Sequence, residues 1–214
     1  MKSNSNLVSS QALLISLVLL LFVPTLATAE WLSTVSRLLF SFTMASSLYL
    51  AARDRTELLI GTIIFVPTLT TKWMLATALS PETQLLSYCA LQVIFIGYIM
   101  RIVYQRLLSV RTVNQEVIYA SIVLYLLFGI CLTLIYYAIL ILEPSAFGGK
   151  IVLDTSDAHS TSKVLQELIY FSLVTQTTLG YGDLSPTLGA ARIIASFQAI
   201  VGQLYLAVVV ARLV

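Results

Sequence analysis

The sequence predicts an all-α membrane protein, with six transmembrane helices and a re-entrant helix and loop between the last two. Three observations carry this prediction. Of 214 residues, 58% are hydrophobic and only 10% charged, whereas a soluble domain carries about a quarter charged residues. Six apolar stretches approach or exceed the roughly 20 residues that cross a bilayer core: Ala12–Ala29, Trp31–Ala52, Leu58–Leu79, Leu85–Ile102, Val117–Leu142 and Leu188–Val210. Short polar joints separate the first five, but Glu143–Thr187 intervenes before the sixth and holds an apolar stretch too short to span.

The first stretch has two readings. It is either a retained helix or a secretory signal peptide, because Lys2, the apolar core Leu13–Val23 and Ala27-Thr28-Ala29 fit a cleavable leader. Either way the second stretch enters from outside. The basic groups Lys2, Arg53, Arg55, Arg106, Arg111 and Arg212 then fall on one side. The positive-inside rule makes that side cytoplasmic, with both termini there and Glu143–Thr187 outside. Arg37, Lys72 and Arg192 lie toward outer helix ends, where long side chains can snorkel to the interface. Pro24 and Pro67 sit inside apolar runs, which membrane helices tolerate. Val103–Glu116 mixes Tyr104, Leu107 and Leu108 with Gln105, Arg106 and Arg111, and predicts a short amphipathic helix on the inner surface. The expected organisation is a four-helix peripheral domain with its linker at 1–115, and a second domain at 116–214.

Composition excludes other classes. A net charge of +2 with scattered basic residues gives no surface for nucleic acid. Cys89 and Cys131 stand alone inside apolar runs and read as small buried hydrophobes. No run holds a plausible Ser–His or Asp–Asp pair, so an intramembrane enzyme is not expected, nor is a cofactor. His159 with Asp154 and Asp157 reads as a solvated loop face rather than a metal or proton sensor.

The chemistry lies in Glu143–Thr187. A polar loop runs to Ser162, with Ser160, Thr161 and Ser162 as candidate N-caps, and Lys163–Thr177 predicts the re-entrant helix. Thr178-Leu179-Gly180-Tyr181-Gly182 follows, then Asp183. Gly180 and Gly182 can take positive φ at little steric cost. Alternation of the two backbone hands turns successive carbonyls to one side of an extended strand. Non-helical backbone at membrane depth is tolerated only inside protein or along a water-filled path. A row of inward carbonyls around such a path offers hard oxygen ligands to a dehydrated cation.

At this point the chain resembles the potassium-channel family, whose Thr-Val-Gly-Tyr-Gly loops present carbonyl oxygens in place of the ion's hydration shell. Thr175-Gln176-Thr177 is similar to the family's Thr-x-Thr lead-in. With six spans, the chain resembles the bacterial members of the voltage-gated-like superfamily, and a bacterial inner membrane is the expected home. The resemblance implies K+ sites at the carbonyls of Thr178, Leu179, Gly180 and Tyr181, with the Thr178 hydroxyl adding a ligand and Gly182 completing the filter. It implies support from Thr177, Asp183, Tyr170, Phe171 and Val174, with the Tyr181 ring turned from the pore toward the re-entrant helix. That helix would aim the negative end of its dipole at a central cavity. One loop cannot enclose an ion, so the resemblance implies a homotetramer in the bilayer with K+ as the transported ion.

The sequence also departs from the family. Many members place two tryptophans where Tyr170 and Phe171 stand, and some carry a Glu where Val174 stands. Altered slow inactivation is expected, with selectivity kept. Arg101, Arg106 and Arg111 are five apart rather than three, which scatters them around a helix and predicts weak or no voltage sensing. In the last run, Gly202 is either a close-packing residue or, at the spacing of the family's gating hinge, a bending point. Gln198 and Gln203 do not share a face, so one is expected in the cavity and the other against a neighbouring helix. No segment after Val214 supplies a ligand-binding domain, so gating is expected to need none or to depend on a part beyond this sequence. A less selective cation channel and a transporter subunit are the rival functions. Tyr181 argues against the first, and the single intact loop against the second.

Overall fold

The computed structural model describes residues 11–19, 21, 41–48, 55–73, 80–109, 115–149 and 158–213. Residues 11–19 and 41–48 are helical (α1 and α2). Then come α3 (Arg55–Trp73), α4 (Pro81–Ser109), α5 (Gln115–Leu142), β1 (Phe147–Gly148), α6 (Ala158–Gln176), β2 (Ser185–Pro186) and α7 (Gly189–Leu213). Among the described residues the fold is thus all-α apart from one two-residue antiparallel bridge, Phe147 opposite Pro186 and Gly148 opposite Ser185.

Among the described residues, three helices are long and apolar enough to cross a membrane: α4, α5 and α7. The other expected spans stand differently. Most of the first two apolar runs, including the Ala27–Ala29 cleavage site, lies outside the described residues. α3 carries Arg55, Glu57 and Lys72 in its 19 residues, and the apolar end of its run, 74–79, also lies outside.

Two local expectations need correction. Val103–Ser109 is no separate surface helix but the end of α4, because no Gly or Pro interrupts the chain there. α6 begins at Ala158, so Ser160, Thr161 and Ser162 lie inside it and do not cap it. By contrast α4 starts where local chemistry dictates. Pro81 takes the first helical position, Glu82 follows in the first turn, and the Ser80 carbonyl accepts from Gln84 N at 3.0 Å.

The described chain forms two compact units. One gathers Met1–Trp73 with Ile94–Leu127. In it, Tyr98 donates its hydroxyl to the Glu57 carbonyl at 2.7 Å, and Phe65 packs on Phe95. The other gathers Met74–Val93 with Phe128–Val214. Compactness of this kind does not test the expected division at 115/116.

The second unit has a continuous apolar core that includes Cys89, Leu132, Tyr136, Leu140, Leu168, Leu184 and Ala191. Tyr136, Phe147 and Phe171 meet edge to face at its centre, with centroids 5.1–5.8 Å apart. The segment around β1 is tied to the segment around β2. Thr187 N donates to the Ala146 carbonyl at 2.9 Å and its hydroxyl to the Ser145 carbonyl. Arg192, expected to snorkel, donates Nε to the Pro186 carbonyl at 3.0 Å. These ties fix the chain just after the glycine-rich strand, so both ends of that strand are held.

Candidate functional site

The strand begins with a helix ending. At the end of α6, Thr178 N donates to the Thr175 carbonyl and Leu179 N to the Val174 carbonyl, both at 3.0 Å. That pair is a Schellman closure, which places a left-handed residue just past the helix. Thr178 fills that place, with φ 57°. Glycine is the usual occupant, and a branched residue with positive φ is strained. Gly180 (φ 58°) and Gly182 (φ 80°) follow. Among the described residues Thr178 is the one non-glycine with positive φ, so Leu179 and Tyr181 lie between in the ordinary region. The backbone therefore alternates in hand from 178 to 182.

All of Thr177–Asp183 is exposed in the single chain, Leu179 by 56% and Tyr181 by 66%. A Cβ built on Gly180 or Gly182 meets nothing within 4 Å. Backbone hand, not space, is what requires glycine at these two positions.

α6 and α7 hold the strand from behind and below. Tyr170 donates its hydroxyl to Asp183 Oδ2 at 2.8 Å, and its ring stacks on Tyr181 at 6.3 Å and 8°. The bond to the Asp183 carboxylate pushes the Tyr170 phenol up to about 12. What that bond contributes is therefore fully present below the ordinary phenol value of about 10 and is lost as pH rises through about 12. Phe171 points into the aromatic core and offers no polar contact to the strand. The Val174 carbonyl accepts from Leu179 N and, at 3.4 Å, from Gly180 N. The Thr177 hydroxyl turns back to the Leu173 carbonyl at 2.8 Å.

The two glutamines of α7 differ, and Gln198 is the one that bonds neighbouring helices. Gln198 is fully buried. Its Nε2 donates to the Ser172 carbonyl (3.0 Å), Ser172 Oγ (2.8 Å) and Gln176 Oε1 (3.2 Å), and its Oε1 accepts from the Tyr136 hydroxyl at 2.7 Å. Ser172 Oγ donates to the Gly129 carbonyl at 2.8 Å. One polar network thus joins α5, α6 and α7 at the last turn before the strand. Gln203 instead is exposed, and its Nε2 donates to Thr178 Oγ1 at 2.9 Å. Gly202 lies between them against α6, where an added Cβ would overlap the Gln176 carbonyl oxygen. Close approach alone therefore calls for glycine there.

Tyr136 and Ser172 were not singled out by sequence, and Gln176 only as the middle residue of the Thr-x-Thr lead-in. The available signal was Ser172 and Gln176, polar and four apart in a short apolar helix. Asp154 and Asp157 lie outside the described residues, as does the side chain of His159. Among the described residues no three His, Cys, Asp or Glu groups gather in a way that could hold a metal ion.

Residues 145–214, which contain α6, the strand and α7, match a family model described as an ion channel. The match supports an ion channel. It is a family of channels, not of enzymes, and with the three apolar helices it indicates a membrane protein. No curated protein and no solved structure matches the chain.

Proposed function

We propose that the protein is a potassium-selective channel in which four copies surround one axis and pass K+ passively across a cell membrane. The observation that carries this is the alternation of backbone hand at Thr178, Gly180 and Gly182. An alternating strand of this kind can turn the carbonyls of Thr178, Leu179, Gly180 and Tyr181 to one side, as ligands for a dehydrated cation. The Thr178 hydroxyl adds an inner ligand. The α6 dipole favours a cation below the strand by about 0.3–1 kcal/mol per helix. Thr177, Tyr170, Phe171, Val174 and Asp183 support the strand. Residues 116–214 form the pore domain and 1–115 a peripheral domain of four spans without voltage sensing, with both termini cytoplasmic.

Assembly is supported by α7. Ile193, Phe197, Ile200, Leu204 and Val208 are 57–73% exposed and recur every three or four residues. Such a stripe calls for lipid or for other copies of the chain. Gly202 as a gating hinge belongs to the same proposal by the family's spacing alone, because its close approach to the Gln176 carbonyl already calls for glycine there.

The test is planar-bilayer recording of the purified protein with K+ on one side and Na+ on the other. Current that reverses near the potassium equilibrium potential is expected. Reversal that ignores the K+ gradient would favour a weakly selective cation channel instead. In the same recordings Tyr170→Phe should shorten open bursts while leaving the reversal potential unchanged. It removes the bond to Asp183 but keeps the ring that stacks on Tyr181.

A further inference from the structure

The channel reading leaves open what sets the innermost cation site, where the strand meets the cavity. On that reading, we propose that Gln203 is a positioning residue for this site and acts through the Thr178 hydroxyl. Three observations carry it. First, the contact is direct, Gln203 Nε2 to Thr178 Oγ1 at 2.9 Å. Second, Thr178 sits at φ 57°, a strained place for a branched residue that neighbouring bonds must hold. Its own N–H is held by the Thr175 carbonyl, and the side chain is held by Gln203. Third, the preceding Gly202 packs on the Gln176 carbonyl, so α7 can come no closer. Side-chain length at 203 must then match the gap.

A hydroxyl has one hydrogen and two lone pairs. The amide of Gln203 occupies one lone pair and fixes where Oγ1 sits. The second lone pair is then held ready for a cation on the axis, with no rotamer search when the ion arrives. Without the amide, Oγ1 is free to turn, and each ion entering the site must first reorder it. A ring of four such amides would set the affinity of the inner site without touching the carbonyl sites above.

Barium, a dication close to K+ in size, applied from the inner side is the probe. Gln203→Met keeps length and removes the donor. Gln203→Asn keeps an amide but is one methylene too short to reach Thr178. Both variants should weaken inner-side Ba2+ block by at least about fivefold, since one net hydrogen bond is lost in each of the four chains around the site. Reversal in mixed K+ and Na+ should stay K+-selective, a split that general damage to the pore would not produce. Block equal to wild type in both variants overturns the proposal. So does an effect confined to Gln203→Met, which would make cavity polarity, not the bond, the cause. Loss of selectivity together with block also overturns it, since Gln203 would then support the whole strand. If the wild type passes no K+-selective current, the channel reading fails first and this inference with it. A conducting wild type with unaltered variants sinks the inference alone.

Discussion

Gly180→Ala is expected to abolish K+-selective current. The residue holds φ 58°, where an L-residue costs about 1–2 kcal/mol. In a tetramer that cost is repeated four times at one constriction, about 4–8 kcal/mol in all. Space is not the obstacle, because nothing lies within 4 Å of an added Cβ in the single chain. Thr178 shows that a branched side chain can be held at positive φ, but it is held by a 3.0 Å bond to Thr175 and by Gln203. Gly180 has only a 3.4 Å contact from its N–H to the Val174 carbonyl. An alanine there relaxes by turning its peptide plane, which swings a carbonyl away from its neighbours. Bilayer recording checks the result, with size-exclusion chromatography confirming that the variant still assembles. Unaltered selective current from Gly180→Ala would remove the strand from any role in permeation.

The second large effect is expected at Gln198, on stability. Gln198→Leu nearly preserves volume but takes away the acceptor of the Tyr136 hydroxyl in a buried site. An orphaned buried polar group costs about 1–3 kcal/mol. That puts the expected loss at about 1–3 kcal/mol per chain. Tyr136→Phe should cost less, since Gln198 keeps its three contacts to α6. The double variant should be less destabilised than the sum of the two, because replacing both partners by apolar groups leaves nothing unpaired between them. Thermal unfolding of the four proteins in detergent measures this. Strict additivity would mean that Tyr136 and Gln198 are not coupled. The damage should also reach the strand, since Gln176 ends α6 and Thr178 follows two residues later.

How much of this was legible in the sequence follows from which forces are local. α5 and α7 could be read within three residues at each end, because a spanning helix is specified by composition and length. Positive φ at Gly180 and Gly182 was legible because only a missing Cβ makes that region cheap. Thr178 was not legible as left-handed, since a branched residue argues against it. Only the Schellman bonds and Gln203 explain its state. The Tyr136–Gln198 bond joins residues 62 apart. It depends on how three helices are rotated about their axes, which apolar runs with no polar face do not encode. Ser160–Ser162 misled because hydroxyls in a row look like a cap wherever the helix starts. The continuation of α4 through Val103–Ser109 was missed because a change of polarity was read as a break, though no helix breaker was present.

The central claim is that four left- and right-alternating strands turn their peptide oxygens onto a shared axis. It is tested most directly by determining the structure of the purified protein in Rb+, an anomalous scatterer that substitutes for K+. The account predicts a column of Rb+ peaks on a four-fold axis, level with the carbonyls of Thr178 to Tyr181. Carbonyls turned away from the axis, or chains that assemble without one, would contradict it.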